Sequence, residues 1–380
     1  MLPDASLNPF QPGTGSAPPV LAGREVEGAA LQALLRQVAN GPLRQGIHLV
    51  QAPRGLGKTV LLRDLERRAP PPVDVLYTSA ALLPNLAEVA RLLAPRRPWW
   101  HSAVNSLTGL SVAGVKITTT SAVSEGDFQV LGKALTRRRN SPFLMLIDEA
   151  HTLPPDLTHI LLNVFQELAG RQPCGLLLAG TPALEPFLLS DAVNASFVER
   201  APIVVPGLLS AAQSREALDV PEWRDWQFEE AVLDEAVAES LGYPYFLQLW
   251  GKALWEQGCA RKTLDNAVLE AARPQVEAVR ARFYARRFDE FERDARAAGL
   301  DRNAMLQAAQ MVAAEITAPA SIISTGQLNR LLDDAGLPPG DAAAAKRIIV
   351  DNGFLIRAAD EWRTAIPSLA AYIRDHPRLA

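Results

Sequence analysis

The sequence predicts an α/β fold: a parallel five-stranded sheet with helices on both faces, then an α-helical unit, then a small unit of helices closed by a hairpin. Three observations predict it. In the first two hundred residues, apolar runs of strand length at 47–51, 73–77, 143–147, 175–179 and 202–205 alternate with stretches whose apolar residues recur at helical spacing, and such alternation implies parallel strands joined by crossover helices. Beyond Gly207 strand-length runs disappear until about Gly353. In the last hundred residues, three helical stretches precede two short runs that flank the tight turn Ala359-Asp360.

Taken in order, Pro3, Pro9, Pro12, Pro18 and Pro19 predict an extended arm over residues 1–20. Leu31, Leu34, Leu35 and Val38 share one helical face within 25–38, and Gly41-Pro42 ends that helix. The strand at 47–51 runs into a glycine-rich turn and a helix over 58–68, stopped by Pro70-Pro71-Pro72. A strand at 73–77 and a helix at 85–93 follow. Residues 96–126, with Trp99-Trp100 and a Ser/Thr/Gly/Val run at 111–121, predict an inserted hairpin or loop, the tryptophans clamping it to the core or meeting a partner. Helices at 127–139 and 157–169 separate the next strands, and 202–205 closes the sheet. The helical unit holds 211–218, 229–240, 245–256 and 264–281. Helices at 302–316, 325–335 and 341–352 with strands at 353–358 and 361–366 have the outline of a winged helix. The expected boundaries are an arm at 1–20, a sheet unit at 21–206, a helical unit at 207–282 and a last unit at 283–380.

With 38 basic and 42 acidic side chains the net charge is −4, so nucleic acid would be held only through a local patch. The two cysteines, Cys174 and Cys259, are far apart and sit in apolar or helical contexts, which fits core thiols in a reducing compartment better than a disulfide or metal site. The opening residues lack a secretory leader pattern, and the apolar runs are too short to span a bilayer, so the expected location is cytoplasmic.

The strand at 47–51 leads through Ala52-Pro53-Arg54-Gly55-Leu56-Gly57-Lys58-Thr59 straight into a helix. Strand, glycine loop and helix start together make a phosphate cradle: glycines let several backbone N–H groups face one anion, and the helix N-terminus adds partial positive charge. The residues from Pro53 through Val60 (Pro53, Arg54, Gly55, Leu56, Gly57, Lys58, Thr59, Val60) are the candidate binding loop. Lys58 would reach the outer phosphates and the Thr59 hydroxyl would ligate a divalent cation. Ala52 stands where such loops usually begin with glycine. A second signal is the apolar strand 143–147 ending in Asp148-Glu149-Ala150-His151. Asp148 fits the metal shell of such a loop, and Glu149, on the other side of the pleat, fits the role of polarising a water. The alternative is an acidic cap on the next helix.

Gly55-Leu56-Gly57-Lys58-Thr59 followed by Leu146-Ile147-Asp148-Glu149-Ala150-His151 resembles the Walker A and Walker B motifs of the AAA+ and STAND P-loop ATPases, and the likeness extends over roughly residues 20–280. The resemblance implies a P-loop NTPase core with a helical lid, ATP and Mg²⁺ as ligands, and ATP hydrolysis as the activity. Val20-Leu21-Ala22-Gly23-Arg24-Glu25 looks like the element that packs near adenine, bringing in Gly23 and Arg24. Leu177 to Pro182 is similar to the fourth strand and its polar sensor, so Thr181 would feel the γ-phosphate. Phe197-Val198-Glu199-Arg200 resembles the stretch with an arginine finger, Arg200, which would act across a subunit interface; an ordinary surface arginine is the alternative. Gly242-Tyr243-Pro244-Tyr245 lacks the sensor arginine of many AAA+ proteins and resembles the STAND and archaeal-type branch, where the proline, here Pro244, packs against the base. That branch favours a nucleotide-gated switch over a ring motor.

The expected function is thus an ATP-driven regulatory switch acting on an unidentified protein partner or on DNA, with homo-oligomerisation allowed by Arg200. A DNA-transaction ATPase, similar to initiator or transposition ATPases, is the alternative; Lys346, Arg347, Arg357 and Arg363 are a sparse basic set for it. A nucleotide-holding module without turnover is a third reading, opposed by the intact Lys58 and Asp148-Glu149. A small-molecule kinase would need an acceptor pocket that nothing in the sequence marks.

Overall fold

The computed structural model describes residues 8–13, 15–93, 131, 134, 141–319, 321–358 and 361–375. The expected insert at 96–126 with Trp99-Trp100, and the turn at 359–360, lie outside the described residues. Of the helix expected at 127–139 only Leu131 and Ala134 are described, both helical.

The first unit runs α1 (Glu25–Asn40), β1 (Ile47–Gln51), α2 (Lys58–Arg67), β2 (Asp74–Ser79), α3 (Leu86–Leu93), β3 (Phe143–Asp148), α4 (Pro155–Ala169), β4 (Cys174–Gly180), α5 (Leu184–Leu189) and β5 (Ile203–Val204). Its five strands lie in the order β2-β3-β4-β1-β5 and pair in parallel. The register matters more than the order. Gln51 faces Gly180 and Ser79 faces Asp148, so the C-terminal ends of β1, β2, β3 and β4 form one level edge. Ligands of open parallel sheets sit outside that edge. β5 keeps only two residues of the expected 202–205 because it is the margin of the sheet, with Ile203 and Val205 exposed. Buried Leu, Ile, Val and Phe side chains from β1, β3, β4, α1, α2 and α4 make the core of this unit.

The helical unit has α6 (Ala211–Leu218), α7 (Glu230–Ser240) and α8 (Pro244–Gly258), with a two-residue parallel pair, β6 (Gln227–Phe228) and β7 (Thr263–Leu264). Two residues carry no periodicity, so the pair left no mark in the sequence. Its last helix, α9 (Asn266–Ala297), is 32 residues long and passes unbroken through the boundary expected at 282. Val268, Leu269, Ala272, Val276, Tyr284, Phe291 and Ala295 form its buried stripe. Beyond residue 277 that stripe is crowded by charge, which hid it, while pairs such as Arg286–Glu290 and Arg287–Glu290 support the helix one turn apart.

The last unit holds α10 (Arg302–Glu315), β8 (Ile322–Ser324), α11 (Thr325–Asp334), α12 (Ala342–Asp351), β9 (Leu355–Ala358), β10 (Glu361–Thr364) and α13 (Pro367–Asp375). β10 lies between β8 and β9 in an antiparallel sheet, so the expected hairpin gains a third strand and a closing helix. The lid and this last unit share one apolar cluster, separate from the sheet core, and it reaches Ala52 and Leu56 of the glycine loop. The arm is docked as well: Phe10 is buried against Trp223, with ring centroids 5.8 Å apart. Cys174 and Cys259 are free and buried.

Candidate functional site

β1 ends at Gln51, and the backbone N–H of Ala52 donates to the Gly180 carbonyl at 3.2 Å, tying the loop to β4. Gly55 and Gly57 both take φ of 91° before α2 starts at Lys58. Only glycine suits residue 55 for a second reason: a Cβ there would stand 2.8 Å from the Tyr243 ring. Lys58 is buried, and its Nζ donates to the carbonyls of Ala52 at 2.8 Å and Pro53 at 3.2 Å. Burial pulls its pKa down to about 8, against the raising influence of Glu149 and Asp148. The ammonium therefore gains from any anion brought to it.

Asp148 is buried at the end of β3. Its Oδ2 accepts from Thr59 Oγ1 at 2.6 Å and from the Tyr77 hydroxyl at 3.2 Å, and its Oδ1 accepts from the Glu149 N–H at 2.9 Å. Burial, then the nearby Asp148 charge, push the Tyr77 phenol up to about 12, so it stays a donor. Glu149 does not continue the pleat as expected. It leaves the strand at φ 52°, and its turn is pinned by Thr152, whose N–H and hydroxyl both donate to the Glu149 carbonyl. The Glu149 side chain consequently faces the same cavity as Lys58.

That cavity holds about 420 Å³ and is lined by the glycine loop, Glu149 after β3, the segment before α1, Leu209 and Ala217 at α6, the start of α8 with the middle of α9, and the arm at Gln11–Gly13 and Gly15–Ser16. From the lid, Tyr243 is wholly buried and its hydroxyl donates to the Arg54 carbonyl, locking the lid onto the loop. Pro244 opens α8 and faces the cavity. Arg287 of α9 lines it too, its guanidinium paired with Glu290 at 2.6 Å and its Nε without a hydrogen-bond partner. Arg54 approaches the other Glu290 oxygen at 3.9 Å. Arg286, which also lines the cavity, pairs with Glu290 at 3.3 Å, so three cations from two units share one carboxylate beside the site.

Arg54, Gly55, Leu56, Gly57, Lys58, Thr59, Val60, Arg24, Glu149 and Pro244 line this cavity, and Asp148 meets it through Thr59. Arg24 does so as a brace, since its guanidinium donates to the carbonyls of Leu56 at 3.2 Å and Gly207 at 2.8 Å. Gly23 packs instead on Leu209 and Gln213 of the lid, and Pro53 turns toward Gly353. Thr181 is buried just past β4, and Arg200 is exposed in the short turn Ser196–Arg200; neither lines the cavity. Sequence reading missed Tyr77, Tyr243, Arg287 and the docked arm. Tyr243 stood inside the singled-out Gly-x-Pro segment, and Arg287 stood on the hidden half of α9. Chemically, the arrangement offers a cradle for a polyanion, a hydroxyl and a carboxylate for a hard cation, and a second carboxylate within reach of water.

Residues 43–188 match the family described as AAA domain. No curated protein matches the chain in sequence. Among solved structures, the ORC2 protein of Aeropyrum pernix, in ADPNP and ADP complexes, aligns with TM-score 0.59 at 14% identity over 98% of this chain and 99% of that one. A Walker-type ATPase of Pyrococcus abyssi aligns with TM-score 0.57 at 18% identity over 93% of this chain and 96% of that one. Cdc6p of Pyrobaculum aerophilum aligns with TM-score 0.51 at 16% identity over 98% of each chain. Identities this low speak for the fold alone, and these alignments run through the lid and last unit as well as the sheet. Residues 43–188 thus match the AAA domain family, and the chain as a whole shares its fold with the ORC2, Walker-type ATPase and Cdc6p structures.

Proposed function

We propose that this chain binds and hydrolyses ATP and uses the nucleotide state as a switch that sets the lid and last unit against the sheet unit. The observation that supports the reading most is convergence: Lys58, the Thr59–Asp148 pair and Glu149 meet at one cavity that Pro244 and Arg287 close from the lid side. The oxygens of Thr59 and Asp148, 2.6 Å apart, suit Mg²⁺, a hard cation that keeps waters and phosphate oxygens as its other ligands. When bound, Mg²⁺ would neutralise phosphate charge. Lys58 would hold the outer phosphates, Glu149 would accept the proton of the attacking water, and Pro244 and Arg24 would border the base. Thr181 and Arg200 act only after a rearrangement or in a neighbouring copy. Closure follows from shared contacts, because a ligand touching both units binds their closed arrangement better.

Calorimetry with Mg-ATP tests the reading. Lys58→Ala should abolish binding, whereas Glu149→Gln should keep ATP and lose hydrolysis by about a hundredfold or more. No heat of binding for the intact chain would reject the proposal.

The partner is a protein or DNA. One observation gives the DNA reading weight: Lys346, Arg347 and Arg357 of the last unit line a cleft of about 280 Å³ that faces Glu185 of the sheet unit. Basic side chains of α12 and β9 are gathered there beside Asp351, with Arg347 and Arg357 exposed. Filter binding of Glu149→Gln with ATP across a salt series separates the cases. DNA binding predicts about a tenfold or greater loss between 50 and 200 mM salt, and no retention at low salt leaves a protein partner. Among the described residues no helix is long and apolar enough to cross a membrane.

A further inference from the structure

His151 ends the acidic motif, and nothing above assigns it a task. Its Nε2 lies 3.4 Å from a carboxylate oxygen of Glu149. Its Nδ1 is buried and has no hydrogen-bond partner among the described residues. The ring reaches this position because β4 ends in glycine: a Cβ on Gly180 would lie 3.1 Å from Nδ1. Gly180 in turn precedes Thr181 and accepts the Ala52 N–H of the phosphate loop.

These contacts favour one tautomer. A carboxylate oxygen accepts, so a hydrogen bond from this ring to Glu149 needs the proton on Nε2, which leaves Nδ1 as the bare nitrogen against β4. Burial favours the uncharged imidazole, so the ring acts as a neutral donor. The backbone of Glu149 is held in its left-handed turn by Thr152, and that leaves the side-chain torsions unset. His151 is the side chain that meets the carboxylate.

We propose that His151 is a positioning residue for hydrolysis: Nε2–H aims the Glu149 carboxylate into the cavity, and the seat of the ring on Gly180 ties that aim to the end of β4. The inference rests on the ATPase reading above. In the step it serves, a water oxygen bonds to the γ-phosphorus while the bond to the bridging oxygen breaks, ADP leaves with that electron pair, and Glu149 takes the water's proton. His151 touches none of the reacting atoms. It fixes the direction from which the base acts, and misplacing a catalytic group by about 1 Å costs on the order of a hundredfold.

Amide side chains give the test its resolution. Glutamine places an N–H near the position of Nε2, and asparagine places one near Nδ1. His151→Ala should lower kcat by about ten- to a hundredfold with KM and the Kd of a fluorescent ATP analogue changed less than about twofold. His151→Gln should recover most of the loss and His151→Asn should not. Gly180→Ala, whose Cβ would crowd the ring at 3.1 Å and Leu184 at 3.0 Å, should reproduce the kcat loss with binding intact, and Leu184→Ala alone should not. Wild-type kcat in His151→Ala overturns the inference alone. So does equal impairment of the Gln and Asn variants together with weakened nucleotide binding, the mark of a packing role. A wild-type chain that binds ATP without turning it over overturns the hydrolysis reading and this inference with it.

Discussion

At the scale of single residues, Asp148 is the most heavily committed group of the site. Both of its oxygens already accept hydrogen bonds, two on Oδ2 from Thr59 and Tyr77 and one on Oδ1 from the backbone. A cation held by Thr59 and Asp148 would take the place of the Thr59 proton contact, and Tyr77 would remain the donor that orients the carboxylate. The ring is itself held in place, since Arg63 stacks over it at 3.5 Å. Tyr77→Phe keeps the ring and removes the donor. Outer-shell donors of this kind are worth about ten- to a hundredfold in metal affinity. The Mg²⁺ concentration for half-maximal ATPase activity should therefore rise about tenfold, while kcat at saturating Mg²⁺ changes little. An unchanged Mg²⁺ midpoint would show that Thr59 and the backbone orient Asp148 unaided.

Elements decide what the sequence could disclose. The glycine loop and the Asp148-Glu149 pair are contiguous, each at the end of an apolar strand, so their chemistry and their shared sheet edge were legible together. The partners that complete the site are not contiguous with them. Tyr243 reaches the loop across 189 positions, and Arg287 lies on the part of α9 where charged residues mask a helical stripe. The two-residue pair β6–β7 was too short to carry any pattern, and the arm read only as extended because its prolines outweigh Phe10, which is buried. α9 also bears a pH-sensitive joint. Where it meets α12, Asn352 donates to Asp294 Oδ2 at 3.0 Å, and the half-buried Asp351 carboxyl is pushed up to about 7. Burial is the main cause, the Arg347 charge opposes it, and Asp294 adds to it. A carboxyl raised from 3.8 folds more readily protonated, so its contribution is present below about pH 4 and is lost as pH climbs toward 7. Asp351→Asn removes that dependence. After discounting for partial exposure, it should stabilise the chain by about 2 kcal/mol at pH 8 and by almost nothing at pH 4. Thermal melts of both proteins at the two pH values check the crossing, and an equal difference at both would refute it.

On the scale of the whole molecule there are two apolar bodies rather than one: the sheet core, and a second that runs through lid, arm and last unit. They meet at the phosphate loop, where Ala52 and Leu56 belong to the second body although they continue a strand of the first. Around that joint, Arg54, Arg286 and Arg287 share Glu290, a single carboxylate for three guanidinium groups that border a cavity also lined by Lys58. Bodies with separate cores unfold as separate units unless something couples them. A triphosphate would couple them, because it offers the three arginines more negative charge than Glu290 does and would touch each body. Calorimetric scans of Glu149→Gln, which holds ATP unspent, should show two transitions without nucleotide. With Mg-ATP at about a hundred times Kd, binding adds roughly 2.7 kcal/mol and the two should merge into one. Adding Arg286→Ala together with Arg287→Ala removes the lid-side guanidinium groups and leaves Lys58 and Thr59 in place. ATP should then raise the transition of the sheet body and leave that of the second body where it was. If this doubly substituted form still melts as one unit with ATP, the coupling runs through Tyr243 and Pro244 instead of the arginines.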